Sequence, residues 1–212
     1  MTILVIGGTG LVGSRLLPRL VEAGLRCRAL VRSGKTVPSG VMVVEGDIVD
    51  PASLVETVRG ATAIVHLAAI RRTPNVREIW RANVDGTRNL IAAARTHGAD
   101  ARFIMASTGL VYRENSSRPS RESDPVAPER DYPASKIAAE KLLQESGLNW
   151  SIVRRGFVYG DADGHFGQIP HIAQSMRLHP ANRLSMIHHR DIAKFIKMGL
   201  NGIAATLFSC TT

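Results

Sequence analysis

Two short runs in this chain carry side chains whose types and spacing do chemistry. One is Tyr132-Pro-Ala-Ser-Lys136. On a helix, residues i and i+4 share a face, so the phenol and the ammonium project together. A free tyrosine has a pKa near ~10 and is a poor base at neutral pH. A neighbouring ammonium favours the phenolate. Such a pair shuttles a proton in a carbonyl/alcohol interconversion; the same spacing also occurs at an ordinary half-exposed helix start. The other run is TILVIGGTGLVG, from Thr2 to Gly13. An apolar strand feeds glycines 7, 10 and 13 and then a helix. Such a turn brings backbone close to a pyrophosphate, and the helix N-terminus adds free N–H groups and the positive end of a dipole. Gly7, Thr9, Gly10, Leu11, Val12 and Gly13 are therefore expected to hold a dinucleotide.

The end of the second strand chooses the nucleotide. A carboxylate there would hold the ribose hydroxyls of NAD. This chain has Leu30-Val31-Arg32-Ser33 instead. Arg32 and Ser33 suit a 2′-phosphate, a charge-assisted contact. NADP is the expected cofactor, with NAD the alternative if Arg32 only stacks on adenine.

The elements that position these residues alternate. Strands are predicted at Ile3–Ile6, Cys27–Val31, Val41–Val44, Ala63–Leu67, Arg102–Ala106, Trp150–Arg154 and Ala205–Ser209. Helices are predicted at Leu11–Ala23, Asp50–Arg59, Val76–His97, Pro133–Glu145, Phe166–Arg177 and Asp191–Leu200. Asp50-Pro51 is a helix-start signal, cap followed by first-turn proline. The alternation predicts an α/β fold, a doubly wound parallel sheet with helices on both faces. With 212 residues the chain is read as one domain.

Composition narrows the partners. Lys+Arg outnumber Asp+Glu 27 to 18, and the pI is about 10.4. The arginines are scattered, and no basic block is interleaved with aromatics, so a solvated basic surface is expected and nucleic acid is not. No apolar run reaches the ~20 residues of a membrane span, and no secretory signal pattern is visible. Cys27 and Cys210 read as plain reduced thiols in a cytoplasmic protein.

Together these motifs resemble the extended branch of the short-chain dehydrogenase/reductase superfamily, with its NAD-dependent epimerases, dehydratases and hydroxysteroid-type reductases. The glycine spacing is that superfamily's, and the resemblance runs from Thr2 to about Phe208. It implies a Rossmann sheet, an NAD(P)-dependent activity and further site residues. Ser107-Thr108-Gly-Leu-Val-Tyr112 resembles the segment whose hydroxyl, four before the tyrosine, bonds the reacting oxygen; that register selects Thr108, with Ser107 the fallback. Asn83, in Asn-Val-Asp-Gly-Thr, resembles an asparagine that supports the active-site lysine and the helix geometry. His66-Leu67-Ala68-Ala69 resembles a segment lying along the cofactor, and Asp47 and Ile48 resemble the pair flanking its adenine.

Some positions depart from the pattern. Arg113 stands where glycine usually follows the tyrosine, and Arg155 replaces the proline of R-P-x-x-V-Y-G. Gly109 and Leu110 stand where dehydratases carry an acid beside the threonine, so reduction or epimerisation is expected rather than dehydration. His188-His189-Arg190-Asp191-Ile-Ala resembles the family's H-V-x-D-V-A, with Asp191 as a helix cap. The two histidines are expected to point apart on an extended segment, and no metal site is expected. Few residues separate Gly160 from His188, so 161–190 is read as a minimal substrate segment of a naturally short member or of a piece of a longer chain.

The expectation is an oxidoreductase or epimerase in which Thr108, Tyr132, Lys136 and Asn83 serve catalysis, and Tyr132 and Lys136 also contact cofactor. A cofactor-binding sensor or scaffold without turnover is the rival. Arg71, Arg72, Arg113 and Arg154, near strand ends, favour a polar or anionic substrate. The loop from Arg113 to Asp131 and the segment from Asp161 to Leu184 carry little apolar residue to fix them and are expected to be mobile. A homodimer is compatible with the sequence, which does not fix the oligomeric state.

Overall fold

The computed structural model describes residues 1–112, 118–160 and 185–200, and the backbone of 206–210. Strands β1 (Thr2–Ile6), β2 (Arg26–Val31), β3 (Val41–Glu45), β4 (Ala63–His66), β5 (Arg102–Thr108), β6 (Trp150–Arg155) and β9 (Thr206–Cys210) form one sheet in the order β3-β2-β1-β4-β5-β6-β9. Every pairing is parallel. The order reverses beside β1, between it and β4, which is where such sheets open a ligand crevice at their carboxyl ends.

The sheet is buried on both faces. Along β1, Leu4 and Ile6 pack with Leu54, Leu90 and Leu143, while Ile3 and Val5 pack with Leu16, Leu20 and Ile192. The two-residue alternation of a strand thus feeds two cores. Helices α2 (Pro51–Val58), α4 (Gly86–His97) and α5 (Asp131–Gln144) cover the first face; α1 (Gly13–Glu22) and α6 (His189–Leu200) cover the second. Asp50 caps α2, its Oδ1 accepting from the Ala52 amide at 3.1 Å, with Pro51 in the first turn.

The helix predicted over Val76–His97 is interrupted. It begins as α3 (Val76–Trp80), widens into a π turn over Arg81–Asp85 and continues as α4. The Gly86 amide donates to the Arg81 carbonyl, five residues back. A π turn inside an α-helix often marks a functional site; this one presents Asn83.

Two short strands not expected from sequence, β7 (Phe157–Tyr159) and β8 (Met186–His188), pair in parallel beside the main sheet. The predicted helix over Phe166–Arg177 lies outside the described residues, as do Arg113 and the whole segment from Asp161 to Leu184. Of the loop before α5, residues 118–130 are described. There Arg118 grips Asp124 through two 2.8 Å bonds, and the Ala127 amide donates to the Val111 carbonyl at 2.8 Å. Polar contacts, rather than apolar burial, fix this stretch.

Candidate active site

The glycine loop follows β1, and its shape comes from two close approaches. Gly7 has φ +86, and a Cβ there would lie 2.6 Å from the Ala68 nitrogen. The segment after β4, Leu67 to Ala69, is thereby pressed against the loop. A Cβ on Gly13 would lie 2.3 Å from the Gly7 carbonyl oxygen, so α1 packs directly on the turn. Gly10 differs: its φ is not positive, and a Cβ would meet only the Gly7 oxygen, at 3.3 Å. Gly10 is thus the least crowded of the three loop glycines: a Cβ there needs a shift of only a few tenths of an ångström, and the rest of its surface is open toward a ligand.

Helix α1 is bare at its start. Val12 gives no side-chain cap, and no acidic residue stands in the first turn. The helical bonds begin with Ser14 N to Gly10 O at 2.9 Å, close to the predicted Leu11 start. An uncapped N-terminus beside an open glycine fits a pyrophosphate. These residues therefore fit a dinucleotide. Arg32 and Ser33 are exposed in the turn after β2, and among the described residues no carboxylate pairs with Arg32. Asp47 is half-buried and accepts from the Val49 amide at 3.1 Å, while Ile48 is buried beside it.

Tyr132 and Lys136 lie on the buried face of α5, 7% and 1% exposed. Burial first, then the charge of Arg155, lower the Lys136 pKa to about 8 against the opposite pull of Glu140. Thr108 ends β5. It is buried, and its hydroxyl oxygen accepts from the Leu110 amide at 3.3 Å, which leaves the hydroxyl proton to donate elsewhere. Ser107 points the other way, to Glu140. The strand period separates the two, so Ser107 is not interchangeable with Thr108.

Asn83 is buried and clamps three segments. Its Oδ1 accepts from Ile70 N at 2.8 Å, and its Nδ2 donates to Ile70 O and to Ser135 Oγ, each at 2.9 Å. Asn83 thus holds the chain after β4 and the residue before Lys136 in fixed relation. His66, fully buried, lies 2.9 Å by Nε2 from Thr87 Oγ1. The Thr87 hydroxyl donates to the Asn83 carbonyl at 2.6 Å, so it accepts from His66, whose Nε2 carries the proton. Burial first, then the charge of Lys136, drop the His66 pKa to about 3.

The structure revises three expectations about side chains. Arg154 is not open to a ligand: it is buried, forks onto Glu140 at 2.6 Å and donates to the Tyr112 hydroxyl at 2.8 Å. A buried carboxylate needs a cation, and Glu140, four residues past Lys136 on the same helix face, was the available signal. His188 and His189 do not point apart, because the chain turns from β8 into α6 between them; their rings lie 4.3 Å centre to centre. Asp191 sits inside the first turn of α6, paired with Lys194 at 3.1 Å, rather than capping the helix. Among the described residues, no group of three or more His, Cys, Asp or Glu side chains is placed to hold a metal ion, and no helix is long and apolar enough to cross a membrane.

A glycine loop at the topological switch of a parallel sheet, with a tyrosine–lysine helix at its carboxyl edge, fits the Rossmann fold of the short-chain class. The chain belongs to the NAD-dependent epimerase/dehydratase family, whose model matches residues 3–196. It is 32% identical over 197 residues to a ceramide reductase of Caulobacter vibrioides, covering 89% of this chain and 57% of that protein. It is 31% identical over 186 residues to a UDP-glucose 4-epimerase of Azospirillum brasilense, covering 81% and 53%. The chain spans little more than half the length of these relatives. Among solved structures, the UDP-glucose 4-epimerase of Thermus thermophilus with NAD superposes with a TM-score of 0.83 at 27% identity, over all of this chain and 78% of the other. The dTDP-glucose 4,6-dehydratase DesIV of Streptomyces venezuelae, with NAD, gives 0.84 at 26% identity, over 99% and 75%.

Proposed function

We propose that this chain binds a nicotinamide dinucleotide and catalyses reduction or epimerisation at a carbon bearing an alcohol or carbonyl oxygen. The reading is carried by one observation: Tyr132 and Lys136 are buried together on α5, which packs against the turn following Thr108, at the carboxyl edge of a sheet whose glycine loop is open and uncapped. When bound, the nicotinamide supplies or accepts the hydride. In the reducing direction Tyr132 gives its phenolic proton to the substrate oxygen; in the oxidising direction it takes that proton back. Lys136, with a pKa of about 8, is placed to replenish the proton and hold the ribose. Thr108 donates its free hydroxyl proton to the same oxygen. Asn83 positions Lys136 through Ser135.

NADP is preferred over NAD because Arg32 and Ser33 are exposed in the turn after β2 and, among the described residues, no carboxylate pairs with Arg32; the NAD held by the structural neighbours keeps NAD as the alternative. The substrate is a polar small molecule, a nucleotide sugar or a functionalised ketone, following the epimerases and reductases among the relatives.

The test is Tyr132→Phe. Dinucleotide affinity should stay within about twofold, while single-turnover hydride transfer on a panel of nucleotide sugars and ketones falls ~10²–10⁴-fold. Unchanged turnover in this variant would assign the proton to another group.

A further inference from the structure

Arg155 is the last residue of β6 and the register partner of Thr108 at the end of β5. Paired residues on neighbouring strands project to the same face, so the Arg155 and Thr108 side chains leave the sheet on the same side. Arg155 is half-buried, and its Nε is buried without a hydrogen-bond partner among the described residues. A shielded, unpaired guanidinium N–H is costly unless something completes it.

The surroundings do not complete it. The charge of Arg155 is felt by Lys136 on α5 and by Arg71 after β4. Arg71 is exposed overall, yet its basicity is lowered, chiefly by partial shielding from water and then by Arg72; Tyr132 pulls the other way, and Arg155 adds to the lowering. Arg155 thus stands within electrostatic reach of two other cations, Lys136 and Arg71, and Arg71 in turn of Tyr132. Among the described residues none of them forms an ion pair. The buried carboxylate of this region, Glu140, is already taken by Arg154 and Ser107. Nor is the cluster placed for the dinucleotide's pyrophosphate, whose cradle is the loop after β1, with β4 and β5 between it and β6.

We infer that Arg155, assisted by Arg71, recognises an anionic oxygen group, carboxylate or phosphate, carried by the substrate next to its reacting carbon. The inference rests on the oxidoreductase reading of the site and deepens it. The anion would complete the guanidinium, relieve the mutual repulsion of the cations and orient the neighbouring carbon toward Thr108 and Tyr132.

The test uses unreactive probes. Malonate, dimethyl malonate and inorganic phosphate are titrated calorimetrically into the protein with and without saturating reduced dinucleotide. Malonate or phosphate should bind alongside the dinucleotide, and whichever binds more tightly distinguishes a carboxylate from a phosphate partner. The neutral ester should not bind. Arg155→Gln should weaken the anion by about 10- to 100-fold and leave dinucleotide affinity within about twofold. Arg71→Gln, at an exposed position, should weaken it about tenfold and guards against a folding defect in the first variant. Anion affinity unchanged in both variants, equal binding of the ester, or displacement of the anion by dinucleotide would overturn the inference. Failure of the dinucleotide itself to bind would sink the oxidoreductase reading, while the anion titrations without dinucleotide still decide on Arg155.

Discussion

Single side chains set the preferences of this site. Arg32 stands exposed in the turn after β2, and among the described residues no carboxylate pairs with it. Replacing it by alanine should weaken NADPH by ~1.5–3 kcal/mol and NADH far less. Calorimetry with both nucleotides checks this; equal weakening would remove the phosphate role. His66 sets a pH dependence of stability. Its folded pKa is about 3 against an ordinary 6.5, because burial and then Lys136 oppose its charge. The unfolded chain therefore binds a proton below pH 6.5 that the folded chain refuses. Stability contributed by neutral His66 is complete above 6.5 and is lost as pH falls from 6.5 toward 3, with a slope of up to about 1.4 kcal/mol per pH unit. Urea unfolding of wild type and His66→Gln at about pH 7 and about pH 5 should give a shallower loss in the variant. Equal losses would mean that another group carries the acid sensitivity.

Elements position those side chains, and the π turn is the element that joins most of the site. Asn83 fastens the chain after β4 and, through Ser135, the helix bearing Tyr132 and Lys136. Asn83→Ala removes three hydrogen bonds of a buried side chain and should cost about 2–4 kcal/mol. Denaturant titration measures that loss, and hydrogen exchange should show faster opening at Ile70; a loss below about 0.5 kcal/mol would refute the clamp. The strands of the main sheet, the glycine turn and the tyrosine–lysine pair were legible in the sequence because each is written in local spacing. The π turn was not, since residues 76–97 keep helical patterning, and the bonds that Asn83 makes from it to Ile70 and Ser135 join segments apart in sequence. The same holds for Arg154. Its position at a strand end suggested a ligand, but its partner Glu140 is met only when α5 packs on β6. Arg155 was visible as a departure from the family pattern, and its surroundings became visible only with the fold.

At the scale of the whole molecule, the chain is a parallel sheet with its candidate chemistry gathered at the carboxyl ends of β1, β4, β5 and β6. The net charge of +9 is distributed without a basic block, which suits soluble anionic ligands better than a nucleic-acid track. The central claim is that this architecture holds a nicotinamide dinucleotide on the loop after β1. Gly10→Val tests it most directly, because Gly10 is the least crowded of the three loop glycines, a Cβ there meeting the Gly7 oxygen alone, at 3.3 Å, so that a small local adjustment should preserve the fold while the side chain fills the ligand's approach. Calorimetric titration of NADPH and NADH into wild type and Gly10→Val, with thermal unfolding of each protein measured alongside, is the decisive measurement. The account predicts micromolar or tighter binding of at least one nucleotide to wild type, a loss of about 100-fold or more in the variant, and closely similar melting temperatures without ligand. Undiminished affinity in a folded Gly10→Val, or a wild type that binds neither nucleotide, would contradict it.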